Sequence, residues 1–407
     1  MEAEELEFAR GDLNGVMSRY DHVREWVEDF EAKHGTRPMY YGPLDRAASK
    51  QNPLNLIYHL RGPLFAHVYR PPQDEEGGGQ TLWFGIEPYL TEEEEMIKQI
   101  LVERLLKEAP NAPSFSTDAE FESMLGNMMK KHTKISNTPV AISEIVTPVR
   151  RVLGLNDPPL SVTEQQMERL QYTVIRDLVR SGPLETLLSD EMLEDIHAVG
   201  LRYISMDHKV FGMVTSNIRF RDREMLERYL RAMSERIGRP VSDSKPIIDG
   251  ALLDGSRINI IYSDDVSTLG SSFTIRKFAE ETISITQLIQ WKTMSAEVAA
   301  YVWLCLENGM SLLVSGETAS GKTTTLNAIL PFIDHNVKIY SAEDTPEVKV
   351  RHRLWQRLVT RDSKNEDSRV EMFDLLKAAL RSRPRYIIIG EIRGAEGATA
   401  FQAMQTG

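Results

Sequence analysis

A short glycine-bearing loop in the second half of the chain has the residue types needed to hold phosphate groups. Lys322 would reach the β- and γ-phosphates of a nucleotide, and the hydroxyl of Thr323 would bind Mg²⁺. The glycines let backbone N–H groups curl round an oxyanion, and the following helix directs its positive end at it. The spacing matches G-x-x-x-x-G-K-[ST]. The predicted nucleotide-binding residues are Gly316, Glu317, Thr318, Ala319, Ser320, Gly321, Lys322, Thr323 and Thr324.

Hydrolysis of a bound triphosphate also needs carboxylates, one to orient the attacking water and one to hold the hydrated metal. Glu391 follows the apolar run 386–390. Glu343 follows a second such run, 338–342. Both runs are typical of strands, and in parallel α/β sheets the ligand lies at the carboxyl ends of the strands. We therefore predict Glu343 and Glu391 as catalytic carboxylates, and Thr323 and Glu391 as metal ligands.

Arginines are the third element of such a site, because a guanidinium that reaches the γ-phosphate from a neighbouring domain or subunit can accelerate hydrolysis strongly. Spacing alone does not decide which arginine does so. The candidates are Arg257, Arg276, Arg361, Arg381 and Arg383.

The phosphate-binding loop lies in a segment, 284–407, in which predicted helices and strands alternate. This alternation indicates an α/β domain with a largely parallel sheet. The predicted helices cover 296–307, 322–330 and 371–380, and the predicted strands cover 311–315, 337–341 and 386–389.

The segment before it, 161–283, predicts a small α+β domain, because short strands surround a few amphipathic helices. The helices are expected over 164–180 and 224–237, and the strands over 203–206, 210–213, 217–220, 257–262 and 272–277.

Residues 1–160 predict a variable region of mixed α/β structure. Strands are expected over 64–70 and 80–86, with a polar loop between them, and a short helix near 124–129. Thr91 and Glu94 have the spacing of a capping box, which predicts that a helix begins there.

Composition bounds the class of protein. The chain has 407 residues, a hydrophobic content of 41% and a formal net charge of −12. Its length favours two or three domains, and its acidic balance disfavours extended contact with nucleic acid. The single cysteine, Cys305, cannot form an internal disulfide, and we find neither a signal peptide nor an apolar run long enough to cross a bilayer. We therefore expect a cytoplasmic protein.

The motifs resemble those of the secretion ATPases of type II, type IV pilus and archaeal systems. Residues 316–327 (GETASGKTTTLN) are similar to the Walker A loop of that family, residues 342–347 (AEDTPE) to its Asp box, and residues 383–394 (RPRYIIIGEIRG) to its Walker B segment. Residues 254–259 and 273–278 resemble its smaller N-terminal domain. Residues 86–88, 208–212 and 401–407 resemble the archaeal branch, especially the archaellum motor ATPase.

This resemblance implies a RecA-like P-loop ATPase domain over 284–407, a small PAS-like α+β domain over 161–283, and a partner-docking region over 1–160. It implies ATP and Mg²⁺ as cofactors and a homohexamer that docks on a polytopic membrane platform protein, at the inner face of the cell membrane. Such a motor powers filament assembly, filament rotation or secretion.

The resemblance also implies roles for single residues. Lys322 and Thr323 would bind phosphate and metal, and Glu343 and Glu391 would share the metal-bound water and the base role, with the division between them open. Arg257 and Arg276 would move toward the nucleotide as the ring closes. In the family a histidine normally follows Gly407 and begins the His box, so the resemblance implies an incomplete α/β domain with activity in doubt.

Two alternatives stay open. The same RecA-like core could drive a nucleic-acid or DNA-transfer motor, although the acidic balance of the chain argues against that. It could also bind ATP without hydrolysing it, as a sensor or scaffold. The two retained glutamates, Glu343 and Glu391, favour hydrolysis.

Overall fold

The computed structural model describes residues 12–45, 47–72, 79–111, 113, 115, 117–136, 158–252, 254–278, 282–317, 320–361, 369–392, 394 and 396–406. The chain divides into two compact units, Met1–Lys277 and Phe278–Gly407. Within the described residues, no helix has both the length and the hydropathy needed to span a membrane.

The first unit is built on strands with helices packed around them. Its described strands are β1 (Met39–Tyr40), β2 (Asn55–His59), β3 (Phe65–Tyr69), β4 (Leu82–Ile86), β5 (Thr133–Ile135), β6 (Leu160–Val162), β7 (Leu193–Val199), β8 (Ser205–His208), β9 (Gly212–Ser216), β10 (Ile247–Ala251), β11 (Arg257–Ile261) and β12 (Ser272–Arg276). Its described helices are α1 (Leu13–Arg19), α2 (Asp21–His34), α3 (Glu92–Glu108), α4 (Asp118–His132), α5 (Glu164–Leu178), α6 (Glu185–Ser189) and α7 (Arg223–Arg236).

Ten of these strands form one sheet in the order β1-β2-β3-β4-β9-β8-β7-β12-β11-β10. Strands β1–β4 join the rest of this sheet through a short parallel ladder between β4 and β9, in which Leu82 pairs with Thr215 and Trp83 with Ser216. The segments 1–160 and 161–283, which the sequence separates, therefore share a single sheet. The division after Lys277 lies close to the predicted boundary at 283/284.

Two local predictions in this unit agree with the structure. Thr91 caps α3, with its backbone N–H donating to Glu94 Oε2 at 2.9 Å and its Oγ1 accepting from the Glu94 N–H at 3.3 Å. The predicted apolar stripe of α5 is buried at Met167, Leu170 and Val174. It packs in a second core with residues of α3 and α4, so α4 is a full helix and not the short element that its polar surroundings predict.

A buried polar cluster, which we call the Asp190 network, links the two halves of the sheet. Tyr58 donates to Asp190 Oδ2 at 2.5 Å and the Trp83 indole donates to the same oxygen at 3.0 Å. The His208 ring lies 3.2 Å from the Tyr58 hydroxyl, and Lys277 donates to the Asp190 carbonyl. Burial lowers the pKa of His208 to about 4 and that of Lys277 to about 8. Every polar group here has a partner, as burial requires.

Several strand predictions in the first unit are wrong or displaced. Residues 217–220 are not a strand, and strands β7 and β10 are absent from the prediction. β7 carries Glu194, Asp195 and His197 among its apolar residues, which weakens its strand pattern. It forms a strand because β8 and β12 pair with it on both sides, which local sequence does not reveal.

The second unit contains a parallel sheet in the order β14-β13-β15, with helices around it. Its described strands are β13 (Ile339–Glu343), β14 (Trp355–Val359) and β15 (Tyr386–Ile389). Its described helices are α8 (Ile285–Gln290), α9 (Ala296–Glu307), α10 (Lys322–Ile329), α11 (Met372–Ser382) and α12 (Glu396–Thr406). The parallel sheet and alternating helices confirm the predicted α/β class.

The strand predicted over 311–315, directly before the phosphate-binding loop, is not formed. Leu312 and Leu313 in this segment are 41% and 61% exposed. Strand β15 lies at one end of the three-stranded order, and no strand among the described residues pairs with 311–315. Because a strand needs a ladder partner, apolar sequence alone does not produce one here.

Candidate functional site

The phosphate-binding loop curls back on itself immediately before α10. Gly321 has φ +85° and precedes Lys322, the first residue of that helix. The Lys322 ammonium group donates to the Glu317 carbonyl at 2.6 Å, and the Ser320 N–H donates to the same carbonyl at 3.3 Å. The left-handed conformation at Gly321 is one that a side chain disfavours. The loop therefore holds its lysine folded across its own backbone.

The start of α10 is open to a ligand. Glycine at position 321 offers no side chain to cap the helix, so the first N–H groups are left for an anion, as helix starts require. A Cβ built on Gly316 would lie 2.6 Å from Ser320 Oγ, so a side chain at this position would force the Ser320 hydroxyl to turn away. Thr323 and Thr324 lie in the first turn and are half-buried. Thr318 and Ala319 lie outside the described residues.

These features fit a phosphate group and its metal. Backbone N–H groups and the Lys322 ammonium are donors suited to phosphate oxygens. The Thr323 hydroxyl is an oxygen ligand of the kind that Mg²⁺ takes alongside substrate phosphates.

Glu343, at the end of β13, is fully buried and its carboxylate is already surrounded by donors. Oε1 accepts the backbone N–H groups of Glu347 at 2.8 Å and Val348 at 2.6 Å. Oε2 accepts from Nε of Arg357 on β14 at 3.1 Å. Burial raises the pKa of Glu343, and the two N–H donors and the arginine partly oppose that rise. The side chain anchors the loop that follows it.

Glu391 lies next to this anchored carboxylate. Strands β13 and β15 are parallel neighbours, and Ala342 pairs with Ile389. A Cβ on Gly390 would lie 3.1 Å from Cγ of Glu343, so this position is a close approach. The structure thus brings Glu343 and the half-buried Glu391 together at one edge of the sheet, as their positions after two strands predict.

The loop after Glu343 is also tied to the helix of the phosphate-binding loop. Nδ2 of Asn327 in α10 donates to the Glu347 carbonyl at 3.0 Å, and the Lys349 N–H donates to Asn327 Oδ1 at 2.9 Å. We call this pair of hydrogen bonds the Asn327 bridge. Glu347 is half-buried and its carboxylate contacts no donor among the described residues.

Asn327, Glu347 and Arg357 carry no role in the sequence-based prediction. Asn327 and Glu347 lie within the motifs at 316–327 and 342–347, so membership of those motifs was a sequence signal that pointed to both residues. Arg357 has no local signal, because its contact with Glu343 exists only through the pairing of β13 with β14.

The predicted arginines fall into two groups. Arg257 and Arg276, in the first unit, are directly opposite each other on β11 and β12. Arg361, Arg381 and Arg383 lie in the second unit with exposed side chains. The Arg361 backbone pairs with Val370, and Arg383 ends α11 at φ +48°.

The sequence of the chain matches one protein-family model and several curated proteins. Residues 177–407 match the family model described as "Type II/IV secretion system protein". The uncharacterized protein MJ0900 of Methanocaldococcus jannaschii is 47% identical over 400 residues, which cover 98% of this chain and 71% of that protein. The conjugal transfer protein TrbB of Rhizobium radiobacter is 34% identical over 169 residues, 41% of this chain and 50% of that protein.

Some relatives are much longer than the matched region. The uncharacterized protein MJ0781 of M. jannaschii is 35% identical over 236 residues, which cover 56% of this chain but 32% of that protein. The activity of a whole protein of that kind does not follow from this chain.

Solved structures with similarity include secretion and pilus ATPases. The VirB11 ATPase of the Brucella suis type IV secretion system has a TM-score of 0.25 at 21% identity, covering 55% of this chain and 72% of that one. The pilus retraction motor PilT with bound ADP has a TM-score of 0.37 at 20% identity, covering 53% of this chain and 61% of that one. Scores this low carry no argument about function, and the assignment rests on the sequence match.

Proposed function

The chain belongs to the type II/IV secretion system protein family, and from this premise we propose that it is the ATP-hydrolysing motor of a secretion or type IV pilus-like machine. The reaction is the hydrolysis of ATP to ADP and phosphate, and its free energy would drive movement of the attached machine. The RecA-like P-loop fold of the second unit is the part that would bind the nucleotide. The observation that carries this proposal is the curled loop that ends at Gly321 and Lys322, with an open helix start behind it.

We propose that ATP binds with its β- and γ-phosphates at this loop. Lys322 would exchange the Glu317 carbonyl for phosphate oxygens, which are stronger acceptors because they are charged. The Thr323 hydroxyl and Glu391 would hold Mg²⁺. The metal supplies positive charge that neutralises the phosphate oxygens during transfer.

The three candidate carboxylates, those of Glu343, Glu347 and Glu391, have different surroundings and therefore different proposed roles. Glu343 is predicted as catalytic, but three donors already surround its carboxylate, so we propose that it acts by holding the loop after β13 in place. Glu391 keeps its predicted role beside the metal. Glu347 is anchored by its backbone while its side chain is left available, so we propose it as a second candidate for orienting the attacking water.

Arg257 and Arg276 remain the proposed catalytic arginines. Their register as direct partners places two arginines at the same end of the β11–β12 pair, which suits an anionic ligand.

The wider proposal is a cytoplasmic homohexamer that works at the inner face of the membrane through a polytopic platform protein. Its finer form is an archaellum or archaeal pilus motor, which the resemblance of residues 208–212 and 401–407 supports. Neighbouring genes for archaellins or pilins would support this form, and their absence would count against it.

The central test is loss of the P-loop lysine. In the full chain, Lys322→Ala should lower phosphate release by about 10²-fold or more, because one preorganised donor to the reacting group is lost. Lys377→Ala, at an exposed position on α11, is the matched control and should keep wild-type turnover. Circular dichroism and thermal unfolding would show that both variants fold. Wild-type turnover in Lys322→Ala would rule out the proposed site.

A second test separates binding from chemistry. Glu391→Gln should retain a fluorescent ATP analogue and lose phosphate release. A wild-type protein that binds ATP and releases no phosphate would favour the sensor alternative.

One observation favours a second candidate function. The similarity to a conjugal transfer protein raises a DNA-transfer motor as the alternative. Single-stranded or double-stranded DNA should then stimulate phosphate release, whereas the secretion motor should be indifferent to DNA.

A further inference from the structure

Asn327 occupies a position that connects two parts of the candidate site. It lies in α10, the helix that begins with Lys322 and Thr323. Its side-chain amide contacts the segment that follows β13, where Glu347 lies. A single side chain therefore joins the helix of the phosphate-binding loop to a loop that carries candidate carboxylates.

The contact uses both ends of the amide. Nδ2 donates to the Glu347 carbonyl at 3.0 Å, and Oδ1 accepts the Lys349 N–H at 2.9 Å. The planar amide thus pairs with the carbonyl of one residue and the N–H of the residue two positions later. An amide of this length offers a donor and an acceptor together, so Asp would lose the bond to the Glu347 carbonyl, and Leu or Ala would lose both bonds.

The backbone N–H and the carbonyl of Glu347 are each held by a side chain from a different element. Its N–H is held by the buried Glu343 carboxylate at 2.8 Å, which Arg357 also contacts from β14. Its carbonyl is held by Asn327 from α10. The next residue, Val348, is fully buried in a core with Leu330 and Ile339. The sheet and the helix thus set the position of the Glu347 Cα jointly.

We propose that Asn327 is a positioning residue, which sets the place of the Glu347 carboxylate relative to Lys322 and Thr323 and transmits movements of α10 to the 344–349 loop. This proposal rests on the proposed ATPase function. If a ligand at the phosphate-binding loop shifts the start of α10, the bridge would carry that shift to the 344–349 loop without any contact between Asn327 and the ligand.

The test compares Asn327→Ala, which removes the bridge, with Asn327→Asp, which keeps the shape and places an acceptor against the Glu347 carbonyl. Both variants should keep the nucleotide Kd within about threefold, while kcat falls by about 10-fold to 100-fold, as expected when a reacting group is misplaced by a fraction of an ångström to one ångström. Asn336→Ala is the control, because Asn336 is exposed and its side chain bonds, within the described part of the chain, to Asp334 alone.

Hydrogen exchange gives a readout that a purely structural role would not change. In the wild type, nucleotide should alter exchange in a peptide covering 344–349, and Asn327→Ala should abolish that response while the response of α10 persists. Wild-type kcat in both variants, or an unchanged response of 344–349, would overturn the proposal. If the wild type itself neither binds nor hydrolyses ATP, the proposed function has failed. In that case, exchange without nucleotide would still test the bridge. Faster exchange of the 344–349 peptide in Asn327→Ala than in the wild type would support the bridge, and equal exchange would refute it.

Discussion

Arg257 and Arg276 are direct register partners on the antiparallel strands β11 and β12. Like charges placed opposite each other are unfavourable, so the pair needs a counter-charge. Asp195 on β7 provides one, accepting from Nε of Arg276 at 3.1 Å. Arg276 is nevertheless well exposed, so it can exchange this partner for another anion at little cost.

Replacing Arg276 with Gln should therefore lower phosphate release while leaving the free energy of unfolding almost unchanged. If the guanidinium reaches the γ-phosphate during turnover, phosphate release should fall by about 10³-fold. The free energy of unfolding should change by less than about 1 kcal/mol, because the ion pair is exposed. Arg228→Gln, on the exposed face of α7, is the control. Unchanged turnover in Arg276→Gln would remove this arginine from the site.

The turn after β7 gives a test of the fold alone. Gly200 has φ +56°, and a Cβ there would lie 2.0 Å from the Leu269 carbonyl. Gly212 has φ +71° and nothing within 4 Å. Gly212→Ala should cost about 1 to 2 kcal/mol from its left-handed backbone alone. Gly200→Ala should cost at least about 2 kcal/mol more, because the backbone must also move. Urea unfolding would measure both, and equal losses would contradict the packing described here.

The Asp190 network should make stability depend on pH at the alkaline side. Burial lowers the pKa of Lys277 to about 8, from the ordinary lysine value of 10.5 that applies in the unfolded chain. Between those values the unfolded state binds more protons, so the free energy of unfolding should rise as pH increases from about 8 to 10.5, by at most about 3 kcal/mol. Guanidinium unfolding of wild type and Lys277→Met across this range would measure the difference. Lys245→Met, at an exposed position, is the control and should retain the wild-type dependence of unfolding free energy on pH. If Lys277→Met also retained that dependence, the described surroundings of Lys277 would be contradicted.

Arg357 should matter to stability through Glu343. Arg357→Met removes a charged donor from a fully buried carboxylate, and the loss should be about 1 to 3 kcal/mol, because the group left behind is only partly satisfied. Arg353→Met, whose side chain is exposed, should cost less than about 0.5 kcal/mol. Thermal and urea unfolding would compare the two. Equal stability of both variants would show that the Glu343 carboxylate does not depend on Arg357.

Local sequence signals predicted the parts of the fold that local physics determines. Helix α9 has the predicted bounds, the Thr91 cap forms with Glu94, and the helix at Lys322 begins after Gly321. The signals failed where distant strands decide the outcome. Leu312 and Leu313 read as a strand but have no described ladder partner, and β7 reads as polar but is paired on both sides.

The candidate site shows the same division. The types and spacing of Gly316, Lys322 and Thr323 indicated phosphate chemistry from sequence alone. The full occupation of the Glu343 carboxylate and the Asn327 bridge depend on which loop folds against which helix. No spacing rule contains that information.

The parallel ladder between β4 and β9 has a practical consequence for dissecting this protein. Shortening the chain to begin near residue 161 would strip four strands from the sheet and turn β9 into a bare edge. Bare edges recruit other chains, so such a deletion would yield aggregation or swapped dimers in place of a clean loss of one module.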